Sequence, residues 1–292
     1  MHTYLESAGF KKIRSRREMD RLISDTVLNH DRKNLFLDDN GRTMGEFSRE
    51  YAPDIGLSVC GEFDEEGNYH PEYSFPYFQG SNISSEEDVT FDKHAGKESY
   101  AGACEDPRVG VTVIFYLLNM GEFMMKGPKT PEPRPYKVRF SGMAREGTIL
   151  LPIRKYSGWD EINRKRVREH TKLVNKARVG DEEAIESLTM EDIDLYSMIQ
   201  KRLETEDVFS IVDTTFAPYG VECDQYSVVG TINSYEKVKN TYTGEEIWKL
   251  VINACDVTLD VCINADTLYG EPKEGRRFRG LIWLLGKVDF EG

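Results

Sequence analysis

The chain has 292 residues and a mass of 33.5 kDa, the size of about two average domains or of one large domain. Hydrophobic residues make up 39% of it, which is enough to bury a core, so a wholly disordered chain is excluded. The 38 basic and 51 acidic side chains give a net charge of −13, which disfavours polyanions and acidic membrane surfaces as partners.

The cysteines and the apolar runs indicate the compartment. The five cysteines have no C-x-x-C spacing, so neither a zinc ribbon nor a redox pair is predicted, and scattered thiols fit a reducing cytosol. The segment 1–17 carries five basic residues and no apolar stretch of a secretory signal. The longest apolar run, 111–118, is far shorter than the roughly 20 residues of a membrane-spanning helix. We therefore predict a cytoplasmic protein without a membrane span.

The first predicted element is a helix over 15–29. Ser15 and Glu18 have the spacing of a capping box, and apolar residues at helical spacing follow from Met19 to Val27. Asn40-Gly41, between two apolar runs, predicts a tight hairpin, because this dipeptide adopts positive φ at little cost.

From residue 55 the apolar period changes to two, which predicts strands. In the first, Ser58, Cys60 and Glu62 share the face opposite to the apolar residues. Pro71 and Pro76 mark the next as an edge strand, since proline cannot donate to a ladder. Its aromatic residues are expected on one side: Tyr69, Tyr73, Phe75 and Tyr77. Further strands over 99–104, 109–118, 136–140 and 148–153 complete an antiparallel sheet with helix 15–29 packed on it.

The middle of the chain, 154–206, has a helical pattern in which a basic stretch precedes an acidic one. The basic residues of 154–178 are interpreted mainly as the solvated end of a helical hairpin, with phosphate binding as the alternative. Alternating apolar residues then predict strands around 226–232, 248–252, 257–263 and 280–290, with 208–213 as a fifth. Five short strands in this length fit a small barrel of the OB type, and an open antiparallel sheet has the same pattern.

The predicted fold class is therefore α+β. An N-terminal antiparallel sheet with a packed helix occupies 1–153, a helical segment 154–206, and a small β-barrel (OB-like) or antiparallel sheet 207–292.

The window 213–224 is the richest in catalytic residue types. It brings Asp213, Glu222 and Asp224 close to Cys223 in one predicted loop. Two carboxylates in unlike environments can divide acid and base roles, which gives the hypothesis of a carboxylate-based hydrolase. A cysteine nucleophile is disfavoured, because no histidine motif supplies its base and neighbouring carboxylates raise a thiol pKa.

Two other patterns suggest binding. Tyr73 and Tyr77 on the edge strand form a possible stacking platform or protein contact, although aromatic residues at period two first of all fill a core. The C-terminal cations lie near aromatic residues, as in barrels that bind single-stranded nucleic acid, but the global charge opposes this interpretation. The candidates in this second set are Arg276, Arg277, Arg279 and Trp283. No pattern predicts a metal site or a cofactor.

Several segments together resemble a known family. They are Tyr4-Leu5, Gly9–Ile13, Phe209–Thr214, Pro218–Tyr226 and Gly270–Leu284. This combination resembles a domain-of-unknown-function family of clostridial bacteria, over most of the chain. The resemblance implies a bacterial cytoplasmic protein and carries no catalytic residues with it.

From the residues themselves we predict a non-catalytic binding or assembly protein, with a protein partner or a second copy of the chain as its candidate partner. The hydrolase centred on 213–224 is the first alternative. Single-stranded nucleic-acid binding through Arg276–Arg279 is the second.

Overall fold

The computed structural model describes residues 3–38, 40–94, 99–128, 132–153, 169, 172–173, 176–177, 181–190, 213–220 and 224–290. This part of the chain is mostly β structure. Helices α1 and α2 span Arg16–Leu28 and Met120–Lys126, and residues 182–190 are also helical. The strands in chain order are β1 (Arg32–Leu37), β2 (Thr43–Ala52), β3 (Ile55–Phe63), β4 (Tyr69–Phe78), β5 (Asp88–Lys93), β6 (Tyr100–Cys104), β7 (Val113–Leu117), β8 (Arg134–Pro135), β9 (Val138–Leu150), β10 (Thr215–Pro218), β11 (Gln225–Lys239), β12 (Glu246–Ala254), β13 (Val257–Asn264), β14 (Leu268–Tyr269) and β15 (Arg277–Val288).

Helix α1 begins where the sequence predicts it. The Ser15 hydroxyl accepts from the Glu18 backbone N–H at 3.2 Å, and the Glu18 carboxylate accepts from the Ser15 N–H at 2.9 Å. These reciprocal bonds satisfy backbone donors that have no partner inside the helix. Met19 and Leu22 are buried on the side that packs against β2 and β3.

Strands β1 to β4 form an antiparallel sheet in sequence order, with β4 at one edge as its prolines predict. The expectation that all four aromatic residues of β4 share one side is wrong. The register shifts between Cys60 and Gly61, so that the strand beyond this bulge is turned over. Tyr69 consequently packs on Phe47 across the α1 face, with the ring centroids 4.6 Å apart, while Tyr73 lies opposite Cys60.

A closed barrel of five strands forms the second unit, in the order β11-β12-β13-β9-β15, with β15 pairing back to β11. Closure confirms the barrel prediction over the open sheet. The strand that closes the barrel is β9, which runs parallel to β13 and antiparallel to β15. The predicted strand 208–213 lies outside the described residues except for Asp213.

The barrel and the four-stranded sheet share one apolar core. Trp283 and Leu285 of β15 and Met143 of β9 point outward from the barrel and belong to the same buried cluster as Tyr51 and Leu57 of the sheet. The end of β15 also pairs in parallel with β7, from which the sheet continues through β6, β5 and β8. Strand β9 comes before residue 153 in the chain but completes a barrel whose other strands come after residue 207. The division of the chain into domains at residues 153 and 207 therefore stays a prediction.

The predicted helical segment 154–206 falls mostly outside the described residues. Within it, residues 182–190 are helical, and the Asp181 carboxylate accepts from the Ala184 N–H at 3.1 Å. A continuous helical middle segment is therefore not supported.

Candidate functional site

A polar cleft lies between the four-stranded sheet and helix α2. It consists of two cavities of about 330 and 420 Å³ that share Gln79, Glu122 and Lys287 as lining residues. We call the two cavities together the sheet–helix cleft. The side chains that carry the argument below are Arg32, Glu46, Tyr77, Glu122, Arg139 and Lys287.

The floor of the cleft follows from strand register. Glu46 of β2 lies opposite Asn34 of β1 and Cys60 of β3, and Ser48 lies opposite Ser58. Because side chains alternate along a strand, all of these face away from α1 and toward the barrel. The Ser48 and Ser58 hydroxyls are 2.7 Å apart and hydrogen-bonded to each other.

Glu46 is a carboxyl group buried without a cation. Glu46 is 4% exposed, its carboxylate accepts from the Asn34 amide at 3.1 Å, and the Ser58 hydroxyl is its other hydrogen-bonding neighbour. No Lys or Arg nitrogen of the described part lies within 4.0 Å of it. Burial raises the pKa of Glu46, and the Asn34 hydrogen bond, the charge of Arg32 and the Ser58 hydroxyl oppose this only in part. Glu46 therefore keeps its proton at a higher pH than an exposed carboxyl group does.

Tyr77 is 3% exposed, and within the described part of the chain its hydroxyl is buried without a hydrogen-bond partner. The phenol crosses Gly56, where a Cβ would lie 2.6 Å from the hydroxyl oxygen. The Arg32 guanidinium carbon lies 5.2 Å from the ring centroid. Burial raises the pKa of Tyr77 to about 12, against the charge of Arg32. A buried hydroxyl without a partner costs free energy, so this group is available to a ligand.

Three cations converge on the same cleft. Lys287 of β15 lies directly opposite Arg139 of β9 in the antiparallel register, and Arg32 faces them from β1. Among the described residues no carboxylate oxygen lies within 4.0 Å of any of the three. Burial first, and then the charges of Arg32 and Arg139, lower the pKa of Lys287 against the charges of Glu122 and Asp289. The cleft thus brings these cations together with the carboxyl groups of Glu46, Asp54, Glu122 and Asp289, which also line it but form no ion pair with the three cations among the described residues.

Helix α2 is anchored as the second wall of the cleft. The Asn119 amide nitrogen donates to the Val288 carbonyl at 2.7 Å, and its amide oxygen accepts from the Val288 N–H at 3.1 Å. At Gly121 the helix approaches β1 so closely that a Cβ would lie 2.8 Å from the Asn34 Cβ. The Asn119 amide also donates to the Glu122 carboxylate at 2.9 Å. Together these contacts fix the distance between helix α2, which carries Glu122, and the sheet that forms the floor of the cleft.

The two predicted carboxylates that lie among the described residues, Asp213 and Asp224, do not converge. The Asp213 carbonyl accepts from Arg277 at 3.4 Å, whereas the Asp224 carboxylate accepts from the Trp283 indole at 2.7 Å. Arg277 and Trp283 are six residues apart on β15, which is about 20 Å of strand. Glu222 lies outside the described residues. The hydrolase interpretation thus stays a prediction that these contacts do not favour.

The predicted C-terminal binding residues are mostly engaged in the fold. Arg277 is 4% exposed and donates to the Leu151 carbonyl at 3.0 and 3.1 Å, and Arg276 donates to the Glu271 carbonyl at 2.8 Å. Trp283 is 5% exposed and stacks on Tyr4 with the ring centroids 5.6 Å apart. Phe278 is fully buried, and Arg279 is exposed.

Of the predicted binding residues, Tyr77 lines the sheet–helix cleft, and Tyr73 lies beside it, opposite Cys60. Sequence reasoning missed Glu46, Arg32, Arg139 and Lys287. One signal was present: Glu46 stands between Met44 and Ser48 at the alternate positions of a strand, where an inward charge is unusual.

Within the described part of the chain, no group of three or more His, Cys, Asp or Glu residues is placed to hold a metal ion. Over the same residues no helix has the length and apolar character needed to cross a bilayer.

The fold and the cleft define a β-rich protein with a closed barrel and a partly enclosed polar site. The family described as "Domain of unknown function, E. rectale Gene description (DUF3881)" matches residues 5–286. The chain belongs to this family, which confirms the resemblance found in its sequence. No curated protein and no solved structure matches it.

Proposed function

We propose that the protein binds a small organic anion in the sheet–helix cleft. The observation that supports this most is the convergence of Arg32, Arg139 and Lys287 without a carboxylate partner in the described part of the chain. The chain has 51 acidic side chains to neutralise 38 basic ones, so cations that remain unpaired together are unexpected. Three arginines outside the cleft are ion-paired: Arg42 with Asp38, Arg49 with Asp25 and Arg108 with Asp106.

The cross-strand position of two of these cations strengthens the argument. Like charges directly opposite each other in an antiparallel pair destabilise a sheet. Lys287 and Arg139 occupy such positions and are both only half-exposed, so water screens their repulsion incompletely. A bound anion would remove this repulsion and gain charge-assisted hydrogen bonds.

The inner part of the cleft favours a ligand that also has neutral polar groups. Among the described residues the Tyr77 hydroxyl has no hydrogen-bond partner, and the Glu46 carboxyl has only the Asn34 amide and the Ser58 hydroxyl. A hydroxyl or carbonyl oxygen of the ligand would satisfy them. The cavity of about 330 Å³ lies at the lower end of the range for small-molecule sites, roughly 300–1,000 Å³, which fits a small metabolite better than a polymer.

The proposal is tested by calorimetric titration in chloride buffer with acetate, pyruvate, inorganic phosphate and, as a neutral probe, glycerol. At least one anion is expected to bind wild type, and Lys287→Gln is expected to bind it at least about tenfold more weakly, the size of one charge-assisted contact. The matched control is Lys273→Gln, since Lys273 pairs with Glu271 at 2.9 Å away from the cleft. Absence of binding by every anion, or equal affinity in wild type and Lys287→Gln, contradicts the proposal.

The barrel serves in this proposal as the scaffold that presents Arg139 and Lys287. Within the barrel, β13 and β9 form the one parallel strand pair. This strand order supports the OB-like class if β9, which comes before the other barrel strands in the sequence, is counted as the last strand of the barrel.

A role in assembly is supported by a separate observation. Strand β1 forms the other edge of the four-stranded sheet and exposes Leu35 and Leu37, which are 48% and 62% accessible. An edge with exposed leucines can pair with another strand. Sedimentation of wild type and of Leu37→Lys tests it: a wild-type dimer that the variant abolishes is expected, and a monomeric wild type rejects it.

A further inference from the structure

Lys287 is the one cation among the three residues that line both cavities, the others being Gln79 and Glu122. Lys287 belongs to strand β15, and the backbone N–H and carbonyl of the neighbouring Val288 both hydrogen-bond to the Asn119 side chain. These bonds hold the backbone at Lys287 in place. Its ammonium group forms no ion pair within 4.0 Å with any described carboxylate.

From this placement we infer that Lys287 is a nucleophilic amine, which condenses with the carbonyl group of a small carboxylate held by Arg139 and Arg32. The inference rests on the proposed function, because the two arginines supply the anion site. It goes beyond that function by assigning a covalent step and a substrate class, the oxo acids.

The electrostatic surroundings favour the neutral amine. The charged groups that face Lys287 come from three neighbouring elements and from the end of its own strand. They are Arg32 of β1, Glu122 of α2, Arg139 of β9 and Asp289. The balance of burial and these charges lowers the pKa of Lys287, which increases the fraction of amine able to attack at neutral pH. Desolvation together with a neighbouring cation is the general way in which proteins activate a lysine for imine formation.

The step balances without a further reagent. The neutral amine attacks the carbonyl carbon, a C–N bond forms, and the carbonyl electron pair moves to oxygen. The two protons of the amine pass to that oxygen, which leaves as water, and the C=N bond of an imine remains. The substrate carboxylate stays paired with the two arginines throughout.

The arginines are placed to hold the carboxylate beside the amine. Arg139 lies directly across from Lys287, and side chains at opposite positions of a strand pair have Cβ atoms about 4.5–5.5 Å apart. The planar guanidinium group binds a carboxylate through two parallel hydrogen bonds, which also fixes its orientation. The carbonyl carbon of a 2-oxo acid is bonded to its carboxylate carbon, so a substrate held in this way presents it to Nζ.

The experiment is reductive trapping of the full chain with pyruvate and cyanoborohydride, followed by peptide mass spectrometry. We expect one carboxyethyl group on Lys287, formed at least about tenfold faster than on any other lysine, because its lowered pKa leaves more of the amine neutral and the arginines hold the substrate beside it. Lactate, which has the same charge and no carbonyl, is the matched probe and should leave no adduct. Lys273→Arg is the control variant and should label at Lys287 as wild type does.

Two variants separate the covalent step from simple binding. Lys287→Arg keeps the positive charge and cannot form the imine, so it should lose the adduct and still bind lactate more tightly than Lys287→Gln does. Arg139→Gln removes one neighbouring cation, which raises the pKa of Lys287 and moves the labelling profile to higher pH.

The outcomes distinguish the two proposals. If pyruvate and lactate bind and no lysine is trapped, or if labelling is spread over surface lysines, the covalent step is refuted and anion binding stands. If neither compound binds and Lys287 is not labelled, the oxo-acid inference fails, and the proposed function is then decided by acetate and phosphate.

Discussion

The repulsion between Lys287 and Arg139 predicts a substitution that stabilises the protein while it weakens the site. Lys287→Met keeps an unbranched aliphatic side chain and removes the ammonium group. The two residues are direct register partners, and a cross-strand charge pair contributes roughly 0.2–1 kcal/mol. Because Lys287 is half-exposed, we expect the middle of that range, a gain of about 0.5 kcal/mol in the free energy of unfolding.

A gain of this size raises the thermal midpoint by roughly 1–2 °C in a chain of this length. The assay is thermal unfolding in chloride buffer without organic anions, at low and at high ionic strength. The gain should shrink as salt increases, since the Debye length falls from about 10 Å at 0.1 M to about 3 Å at 1 M.

A double-mutant cycle isolates the pair. Arg139→Met alone should also stabilise, and the double variant should gain less than the sum of the singles, because each single removes the same repulsion. The control Lys273→Met should be neutral or slightly destabilising, since Lys273 is paired with Glu271. A destabilised Lys287→Met in low salt, or strict additivity in the cycle, would refute the reasoning.

Three further predictions concern neighbouring groups. Tyr77→Phe removes a buried hydroxyl that has no hydrogen-bond partner among the described residues, so it should leave the free energy of unfolding unchanged or raise it by about 1 kcal/mol, as measured by urea unfolding, while anion affinity falls. Glu46→Gln should flatten the dependence of the free energy of unfolding on pH. In the folded wild type, Glu46 keeps its proton above the ordinary carboxyl pKa of 4.5, so the stability of the wild type falls as the pH rises from 4.5 through the raised pKa. The variant has no carboxyl group at this position and lacks this loss. Asn240→Ala should destabilise by about 2 kcal/mol or more in the same urea assay, because the buried amide donates to the Ala8 carbonyl at 2.8 Å and accepts from two N–H groups of its own turn.

Each of these has an outcome that would count against it. A loss of stability in Tyr77→Phe would mean that the hydroxyl has a structural partner. A wild-type pH profile no steeper than that of Glu46→Gln between pH 4 and 9 would mean that the folded carboxyl titrates normally. A neutral Asn240→Ala would mean that the N-terminal segment is not held by this contact.

Local patterns in the sequence predicted the local elements well. Ser15 and Glu18 are three residues apart and form the capping box that their spacing predicts, because both partners lie within one helical turn. The prolines of β4 placed it correctly at a sheet edge. The bulge that separates Tyr69 from Tyr73 was not predictable in the same way, since it depends on pairing with β3 rather than on the sequence of β4.

The barrel shows where the sequence pattern is insufficient. Strands β11, β12, β13 and β15 alternate clearly and were predicted, whereas β9 closes the barrel from a position 75 residues before β11. The alternation of Val138 and Phe140 predicts a strand but does not indicate which other strand it pairs with. Pairing between strands so far apart in the sequence depends on packing, and the local alternation of apolar residues contains no information about it.

The candidate site was missed for the same reason. Arg32, Glu46, Arg139 and Lys287 come from four strands and form no motif along the chain. Each one alone is an ordinary charged residue in a β segment. They become a candidate site only through the register of β1 with β2 and of β9 with β15, together with the approach of the sheet to the barrel.

The most direct test of the account is a crystal structure of the protein soaked with the organic anion that binds most tightly in solution. Ligand density is expected in the sheet–helix cleft, with its anionic group within hydrogen-bonding distance of Arg139 or Arg32, next to Lys287, and a neutral oxygen near the Tyr77 hydroxyl. Ligand density elsewhere on the molecule, with only water between Lys287 and Arg32, would contradict it.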